Sequence, residues 1–162
     1  MTSLPSIVVL RKVQAADLPL FFDYQRDPEA NQMAAFTAKD PTDQQAFRAH
    51  WTRILGDETS TIRTILFEGQ VVGSVLSYEE SAGRPEVSYW LGKPYWGQGI
   101  ATAALHAFLA QVTARPIYAR VAKDHRASLR VLEKCGFTIV GEDRGFANAR
   151  DQEIEEWLLH LG

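Results

Sequence analysis

The residues best suited to chemistry are two glycines, Gly97 and Gly99, in a short segment between a strand-like run and an Ala-rich helix. The run Glu86–Leu91 is rich in β-branched and aromatic residues, and apolar residues recur at helical spacing from Ile100 to Val112. Glycines in a strand-to-helix turn let the main chain approach a ligand closely. The first N–H groups of the helix have no partner within it and lie at the positive end of its dipole. The spacing therefore predicts a turn that holds a phosphate-bearing ligand on main-chain N–H groups.

Two other phosphate-binding motifs fit this segment less well. A dinucleotide fingerprint requires a third glycine at position 102, where the chain has Thr102, and an acidic residue about twenty positions further on. Asp124 is a little too far along the chain and lies beyond the next strand-like run. A P-loop requires Gly-Lys-Ser or Gly-Lys-Thr, which does not occur. A turn that merely changes the direction of the chain is the structural alternative.

A second segment, Asp124–Phe137, closely resembles the helix-then-Gly-Phe segment of the GNAT superfamily of acetyl-CoA-dependent N-acetyltransferases. The run Glu86–Thr102 resembles the acyl-CoA motif of the same superfamily, and the two segments have the family's order and separation. Together they are similar to the branch that contains the ribosomal-protein N-terminal acetyltransferases. The resemblance implies an α/β (α+β) fold, with a mixed, mostly antiparallel central sheet of six to seven strands and helices on both faces. It also implies a single domain over residues 1–162, with acetyl-CoA as co-substrate and an amine as acceptor.

The resemblance also assigns residues to the coenzyme. The coenzyme's phosphates are expected to bind the main-chain N–H groups of the glycine turn. The coenzyme's arm is expected to lie along the preceding strand and the start of the helix in the segment Asp124–Phe137. The residues expected to contact the coenzyme are Tyr89, Trp90, Leu91, Trp96, Gly97, Gln98, Gly99, Ile100, Ala101, Thr102, His125 and Ser128.

The sequence departs from the family pattern at three positions. Trp96 replaces a Gln or Arg, so that side chain's share of phosphate binding is lost, whereas main-chain contacts need no side chain. The indole packs either on the ligand or on the protein itself. His125 replaces the usual Asn, and it either donates a similar hydrogen bond to the coenzyme or has no contact with it. Leu132 stands where many relatives have a Tyr, and it cannot donate a proton.

Acetyl transfer to an amine needs a proton acceptor, because an alkyl ammonium has a pKa of about 10.4. Glu86 matches a strand position at which some GNAT enzymes carry a catalytic glutamate. Its alternative role is that of a solvated carboxylate at a strand end, with a water chain as the base. Glu79 and Glu80, at the end of the preceding strand, are rival carboxylates.

The resemblance also implies groups for the thioester and the leaving thiolate. Main-chain N–H groups near Leu91 are expected to bind the thioester oxygen, because the family splays this strand from the next one, Ile117–Ala122. Ser128 matches the helix serine that the branch places near the sulfur, and a hydroxyl can donate a hydrogen bond to a thiolate. A hydroxyl that only satisfies the local backbone is the alternative role for Ser128.

The surrounding pattern predicts the elements that position these residues. Strands are predicted at Ile7–Lys12, Thr61–Phe67, Val71–Tyr78, Glu86–Leu91, Ile117–Ala122, Phe137–Val140 and Ile154–Leu161. Helices are predicted after Asp17, near Ala30–Met33, from Asp40-Pro41-Thr42 to Gly56, over Ile100–Val112, and from Asp124 to Gly136. Gly141–Gln152 is predicted to be a polar loop. This order indicates a mixed sheet with helices on both faces.

Composition argues against several classes of function. The 162 residues suit one domain with a sizeable core, and 17 basic against 20 acidic residues give a net charge of −3. We therefore expect no nucleic-acid partner, for which a basic stripe is typical. No apolar run approaches membrane-spanning length, and the first residues lack the charged start of a signal peptide, so no membrane association is expected. The single cysteine, Cys135, indicates a reducing, cytoplasmic environment. The sequence does not distinguish a monomer from a homodimer.

Other conspicuous residues are predicted to be structural. Cys135 and the pair His50 and Trp51 are assigned to the core. His106 and His160 lack the spacing of metal ligands, so no metal is expected. A solvated strand surface is predicted for three acidic residues, which are Glu153, Glu155 and Glu156. Two basic residues either neutralise coenzyme phosphate or face water, and these are Arg130 and Lys134.

The acceptor site is the least specified part of the sequence. The family places the first helices and a late loop near the acetyl end of the coenzyme; here these are Phe21, Phe22, Tyr24, Gln25, Met33, Phe36 and Arg144–Arg150. Such residues suit a small or medium amine-bearing acceptor, or equally a core and a mobile surface loop. A protein N-terminus, an aminoglycoside, a polyamine and an amino acid all stay open as acceptors. A module that binds acyl-CoA without turnover and an enzyme that acetylates oxygen are the alternative functions.

Overall fold

The computed structural model describes residues 7–80 and 82–162. These residues form a seven-stranded sheet in the order β1-β2-β3-β4-β5-β7-β6. The strands are β1 (Val8–Lys12), β2 (Thr61–Phe67), β3 (Gln70–Glu79), β4 (Pro85–Leu91), β5 (Ile117–Ala122), β6 (Thr138–Ala147) and β7 (Gln152–Leu161). The helices are α1 (Leu18–Gln25), α2 (Pro28–Ala34), α3 (Gln44–Leu55), α4 (Ile100–Gln111) and α5 (Arg126–Lys134). All strand pairs are antiparallel apart from β4 and β5, so the predicted mixed, mostly antiparallel sheet is confirmed.

The two helix faces of the sheet have separate apolar cores. On one face, α4 and α5 pack on the sheet through a large cluster that includes Leu105, Phe108 and Leu132. On the other face, α1 and α3 pack through Phe21 and Trp51. The predicted helices on both faces are therefore confirmed. Trp51 is buried as predicted, but the prediction for its neighbour His50 was wrong, because His50 is exposed and contacts Arg53.

One predicted helix start was wrong, whereas the helix predicted after Asp17 does begin there. α3 begins at Gln44, since the carboxylate of Asp43 accepts from Ala46 N at 3.0 Å, whereas Asp40 closes a turn with Thr42. Asp17 precedes α1 but makes no side-chain capping bond to it. It is instead buried, and it forms an ion pair of 2.7 Å with Arg11. A carboxylate at a helix start therefore ties β1 to this region of the fold instead of capping the helix.

The predicted loop at Gly141–Gln152 was also wrong. β6 continues to Ala147, and it pairs with β7 from Thr138↔His160 to Ala147↔Gln152, with one register shift between Ile139 and Gly141. β6 is the last strand of the sheet, so one of its edges has no strand partner and polar residues can occupy it. Opposite charges stabilise this hairpin, because Lys123 contacts both Glu142 and Glu155. Because an edge strand can carry many polar residues, its sequence resembles that of a loop.

The strands β4 and β5 diverge at the centre of the sheet. They pair in register at one position of the described chain, Glu86↔Tyr118. On its other side, β4 pairs with β3 continuously from Glu79↔Pro85 to Gly73↔Leu91. Gly92 N donates to Val72 O at 2.8 Å, so by alternation the N–H of Leu91 points to the β5 side. The splay that the family resemblance implied is therefore present in this chain.

Candidate active site

A cavity of 640 Å³ lies where β4 and β5 diverge, and we call it the first cavity. It is bordered by the end of β4, the glycine turn, the first turn of α4, β5 and α5. Every residue predicted for the site lines this cavity apart from Gln98, all of them within the described chain. The side chain of Gln98 is exposed and donates to Pro94 O at 3.3 Å.

The glycine turn has the conformation that its sequence predicts. Gly97 and Gly99 have φ angles of +75° and +79°, which side-chain-bearing residues rarely adopt. A Cβ atom at either position would have no neighbour within 4 Å. The first helical bond of α4 runs from Ala103 N to Gly99 O, and no side chain caps the helix. The N–H groups of Ile100 to Thr102 therefore precede the helical ladder and lie beside an open space.

Trp96 packs on the protein itself and also lines the first cavity, so its contact with the coenzyme stays a prediction. Its Nε1 donates to Leu91 O at 2.9 Å, and its ring packs against the core on the α4 side. This bond joins the start of the glycine turn to the end of β4. The indole thereby holds the turn in place from within the protein.

Tyr89 and Ser128 form a hydroxyl pair on the α4–α5 side of the gap. Their oxygens lie 2.9 Å apart, and either hydroxyl can donate. Burial raises the pKa of Tyr89 to about 12, so the phenol stays protonated at neutral pH. Leu132, where many relatives have a Tyr, is buried and lines the cavity. The sequence indicated Ser128 but not the hydroxyl contact, since the two residues are 39 positions apart.

Glu86 lies at the opposite side of the gap in a charged cluster. Glu86 is only 4% exposed, and its Oε1 lies 3.4 Å from Arg120 Nε. Burial raises the pKa of Glu86, although the charge of Arg120 opposes this shift. Arg120 also contacts Glu156 at 2.9 Å and Asp143 at 3.1 Å. Glu156 is buried, so the prediction that it lies on a solvated surface was wrong; Arg120 compensates its charge.

Arg120 is a site residue that the sequence analysis missed. A signal for it was present, because a single charged residue interrupts the apolar run of β5. Such a residue needs an opposite charge nearby when its strand lies within a sheet. Of the rival carboxylates, Glu80 does not line the first cavity; it accepts from Ala82 N and Arg84 N in the β3–β4 turn. Glu79 is exposed at the end of β3 and does not line the cavity either.

His125 is the residue immediately before α5, and it lines the first cavity without capping the helix. Burial lowers its pKa, so the imidazole is neutral at pH 7. The helix predicted from Asp124 begins at Arg126, and Asp124 makes a two-bond ion pair with Arg150 at 2.7 and 2.9 Å. Arg130 and Lys134, on α5, also line the cavity.

A second cavity of 430 Å³ adjoins the first. Phe36, Ser88, Tyr89 and Trp90 line both cavities. Its other aromatic walls come from α1 and α3, and they are Phe21, Tyr24, Phe47 and Trp51. Several residues that the sequence analysis connected with the acceptor therefore do meet in one place. Phe22 does not join them, because it is buried against Phe47 outside both cavities.

Residues 7–80 and 82–162 contain no group of three or more His, Cys, Asp and Glu side chains arranged to hold a metal ion. They also include no helix whose length and apolar content would let it cross a lipid bilayer.

A central gap between parallel strands, beside a glycine turn at a helix N-terminus, is the arrangement of a GNAT acetyltransferase fold. The sequence matches the model of the Acetyltransferase (GNAT) domain family over residues 8–138. Since this match covers most of the chain, the protein belongs to the GNAT acetyltransferase family.

Individual relatives are distant. The uncharacterized N-acetyltransferase p20 of Bacillus licheniformis is 23% identical over 163 residues, which cover 95% of this chain and 92% of p20. Mycobacterium smegmatis RimJ, solved in complex with CoA-disulfide, has a TM-score of 0.81 at 20% identity, over 95% of this chain and 81% of RimJ. Spermidine N-acetyltransferase of Vibrio cholerae, solved with CoA and spermine, has a TM-score of 0.77 at 16% identity, over 94% of this chain and 95% of that enzyme. At these identities the solved structures establish the fold alone.

Proposed function

We propose that the protein transfers the acetyl group of acetyl-CoA directly to a primary amine in a ternary complex. One observation carries this proposal, namely the gap between β4 and β5. Uncapped N–H groups of α4 lie at one end of the gap, the Tyr89–Ser128 pair lies on one side, and Glu86 lies on the other. Family membership supports the same chemistry.

The glycine turn binds the pyrophosphate of acetyl-CoA in this proposal. The N–H groups of residues 97–102 donate to phosphate oxygens, aided by the positive end of the α4 dipole. Open space beside Gly97 and Gly99 lets the phosphates reach the main chain. Arg130 and Lys134, which also line the cavity, add positive charge.

The end of β4 binds the coenzyme arm and the thioester. The N–H of Leu91 points to the gap, where it donates to the thioester oxygen as negative charge develops there. The neutral imidazole of His125 lies on the opposite wall and donates a hydrogen bond to the arm. Leu91 and His125 hold the thioester and the coenzyme arm in position, so that the thioester carbon faces an amine that arrives from the Glu86 side.

Glu86 accepts the proton that the amine loses. The neutral amine nitrogen attacks the thioester carbon, a C–N bond forms, and the C–S bond breaks. The proton from nitrogen passes to Glu86, directly or through water, and the leaving thiolate accepts a hydrogen bond from the Ser128 hydroxyl and takes its proton from solvent. Tyr89, which stays protonated, donates to Ser128 and leaves the serine hydrogen free for the sulfur. Solvent then removes the proton from Glu86.

A thiol-release assay with a panel of amines, coupled to mass analysis of the products, tests this function. We expect CoA release that depends on the amine, and a product heavier by one acetyl group on nitrogen. Calorimetric binding of acetyl-CoA without thiol release for any amine would favour an acyl-CoA-binding module. An oxygen-acetylated product would contradict the assignment of the amine as acceptor.

A further inference from the structure

Glu156 is a buried carboxylate that the proposed reaction does not use, and it lies in the same charged cluster as Glu86. We propose that Glu156 is a positioning residue for the transfer, which acts through Arg120. It holds Arg120 and neutralises the charge of this cation, so that the neighbouring carboxylate of Glu86 stays ready to accept the proton of the amine. This inference rests on the proposed acetyltransferase function, in which Glu86 is the base.

The register of three strands brings these side chains to one face of the sheet. Glu86 of β4 pairs with Tyr118 of β5. Alternation in β5 then places Arg120 and Ala122 on the same face as Tyr118. Glu156 of β7 pairs with Ala122, so it shares that face as well. In agreement with this register, Glu86, Arg120 and Glu156 all line the first cavity.

The distances show which carboxylate holds Arg120. Its Nη1 donates to Glu156 Oε1 at 2.9 Å and to Asp143 Oδ2 at 3.1 Å. By contrast, Arg120 Nε lies 3.4 Å from Glu86 Oε1, whereas a strong charge-assisted hydrogen bond measures about 2.7–2.9 Å. Glu156 therefore makes the closest contact with the guanidinium, and Glu86 has a cation nearby without a short hydrogen bond to it.

The balance of buried charge favours a proton on Glu86. Glu86 and Glu156 are both buried and share one guanidinium, so the three groups together carry a single net negative charge. Asp143 is exposed, and solvent screens its charge. When an N–H bond of the amine breaks and an O–H bond forms on Glu86, the buried group becomes neutral, which lowers the cost of its burial. A close pair between Arg120 and Glu86 would oppose this step, because it would stabilise the ionised carboxylate.

The other charged groups near Glu86 lie further along β3, β4 and the turn between them. Burial raises the pKa of Glu86, and the charge of Arg120 opposes this shift most strongly. The charge of Arg84 opposes it as well, but Arg84 Cζ lies over the ring of Tyr118, 4.2 Å from its centroid. Glu80, in the β3–β4 turn, adds to the upward shift. Arg120 is therefore the cation whose compensation matters most for Glu86.

The remaining neighbours of Glu86 carry no charge at neutral pH. Tyr78 of β3 is its register partner, and burial raises the pKa of this tyrosine, so the phenol stays protonated. The helix α2 contributes three residues to the first cavity, none of which is titratable, and these are Ala30, Met33 and Ala34. Competition for Arg120 between Glu86 and Glu156 therefore sets the charge state of the base.

Proton binding by Glu86 can be measured without turnover, by carbon-13 NMR of the glutamate side-chain carboxyls in the full chain. The signal of Glu86 is the one that Glu86→Gln removes. We expect Glu156→Gln to move the titration midpoint of this signal to lower pH, because a neutral amide leaves the charge of Arg120 to Glu86. Arg120→Gln should move the midpoint to higher pH. Glu155→Gln is the matched control and should leave it unchanged, since Glu155 contacts Lys123 and does not line the first cavity.

The kinetics should follow the same order. With an amine that the protein acetylates, the fall of kcat/KM in acid should move to lower pH in Glu156→Gln and to higher pH in Arg120→Gln. A less basic Glu86 is a weaker proton acceptor, so Glu156→Gln should also lower kcat at pH 7 at least about twofold, with KM for acetyl-CoA unchanged. A purely structural role for Glu156 would not produce opposite pH shifts in these two variants.

The double variant Arg120→Gln/Glu156→Gln provides a second measurement if Arg120→Gln does not fold, because it removes opposite charges together. Its Glu86 midpoint should lie above that of Glu156→Gln. An unchanged or raised midpoint in Glu156→Gln would overturn the proposal, as would an equal shift in Glu155→Gln. Failure of the acetyltransferase function is a different result, in which acetyl-CoA binds and no amine releases thiol, and the carboxyl titration reports on Glu156 in that case too.

Discussion

Replacement of Gly99 by Ala separates the strain of the glycine turn from its role in binding. Gly99 has a φ of +79°, and Gly69, in the β2–β3 turn and outside both cavities, has a φ of +80°. A Cβ atom at either position has no neighbour within 4 Å. Both Gly99→Ala and Gly69→Ala therefore cost stability through backbone strain alone, about 1–2 kcal/mol each. For a chain of this length, that lowers Tm by about 2–8 °C in both variants.

The two variants should differ in affinity for acetyl-CoA. A methyl group at position 99 occupies the space through which phosphate oxygens reach the main-chain N–H groups, whereas one at position 69 does not. Calorimetric titration at a temperature where both variants are folded should give a Kd at least about tenfold higher for Gly99→Ala, or about 1.4 kcal/mol. Gly69→Ala should bind as the unaltered protein does. Equal Kd values for the two variants would refute the assignment of this turn to the pyrophosphate.

Three further predictions concern catalysis and stability. Glu86→Gln should lower kcat about 100-fold without changing KM for acetyl-CoA. Burial raises the Glu86 pKa above its ordinary value of 4.5. As the pH is lowered, kcat/KM of the unaltered protein should therefore begin to fall at a higher pH than it would with an ordinary glutamate as the base. The Glu86→Gln variant should not show this fall. Ser128→Ala and Tyr89→Phe should each lower kcat, and the double variant should be no slower than Ser128→Ala; additive losses would contradict a coupled pair. Burial alone would raise the pKa of Asp17, but its hydrogen bonds to Arg11 and other partners lower this pKa in the folded protein. Asp17 therefore stabilises the fold at pH values above its unfolded pKa of about 3.9, and this stabilisation is lost as the pH falls through the lower pKa of the folded state. Thermal melts should therefore show Asp17→Asn to be less stable at pH 7, with a smaller difference at pH 3, and a constant difference would contradict this linkage.

Local sequence predicted the parts of the site that depend on consecutive residues. The turn around Gly97 and Gly99 was predictable because left-handed backbone and an uncapped helix start are both local properties. The alternation of β4 was predictable for the same reason, and it correctly separated Tyr89 from Glu86 on opposite faces. The family resemblance then supplied the divergence of β4 and β5, which no single run of residues indicates.

Contacts between distant strands were not predictable from the same patterns. Arg120 on β5 meets Glu86 on β4 and Glu156 on β7, so the cluster depends on the order and register of three strands. Glu156 was assigned to a solvated surface because nothing in its own strand indicates a buried partner. The length of β6 was missed for a related reason, since an exposed edge strand can carry the polar residues that otherwise mark a loop.

The second cavity shows the same limit in its unpaired groups. Trp90 is an ordinary aromatic residue in a strand pattern, and Thr37 lies in a segment with no regular element. That both polar atoms are buried without hydrogen-bond partners in the described chain appears only when α1, α3 and β4 are brought together. Local propensity reports how a residue folds, whereas an unsatisfied polar atom is a property of the assembled structure.

A crystal structure of the protein with CoA tests the central claim most directly. We predict pyrophosphate oxygens at about 2.9 Å from main-chain nitrogens between Gly97 and Thr102, with the coenzyme arm in the gap between β4 and β5. A pyrophosphate bound elsewhere on the protein, with these N–H groups contacting only water, would contradict the account.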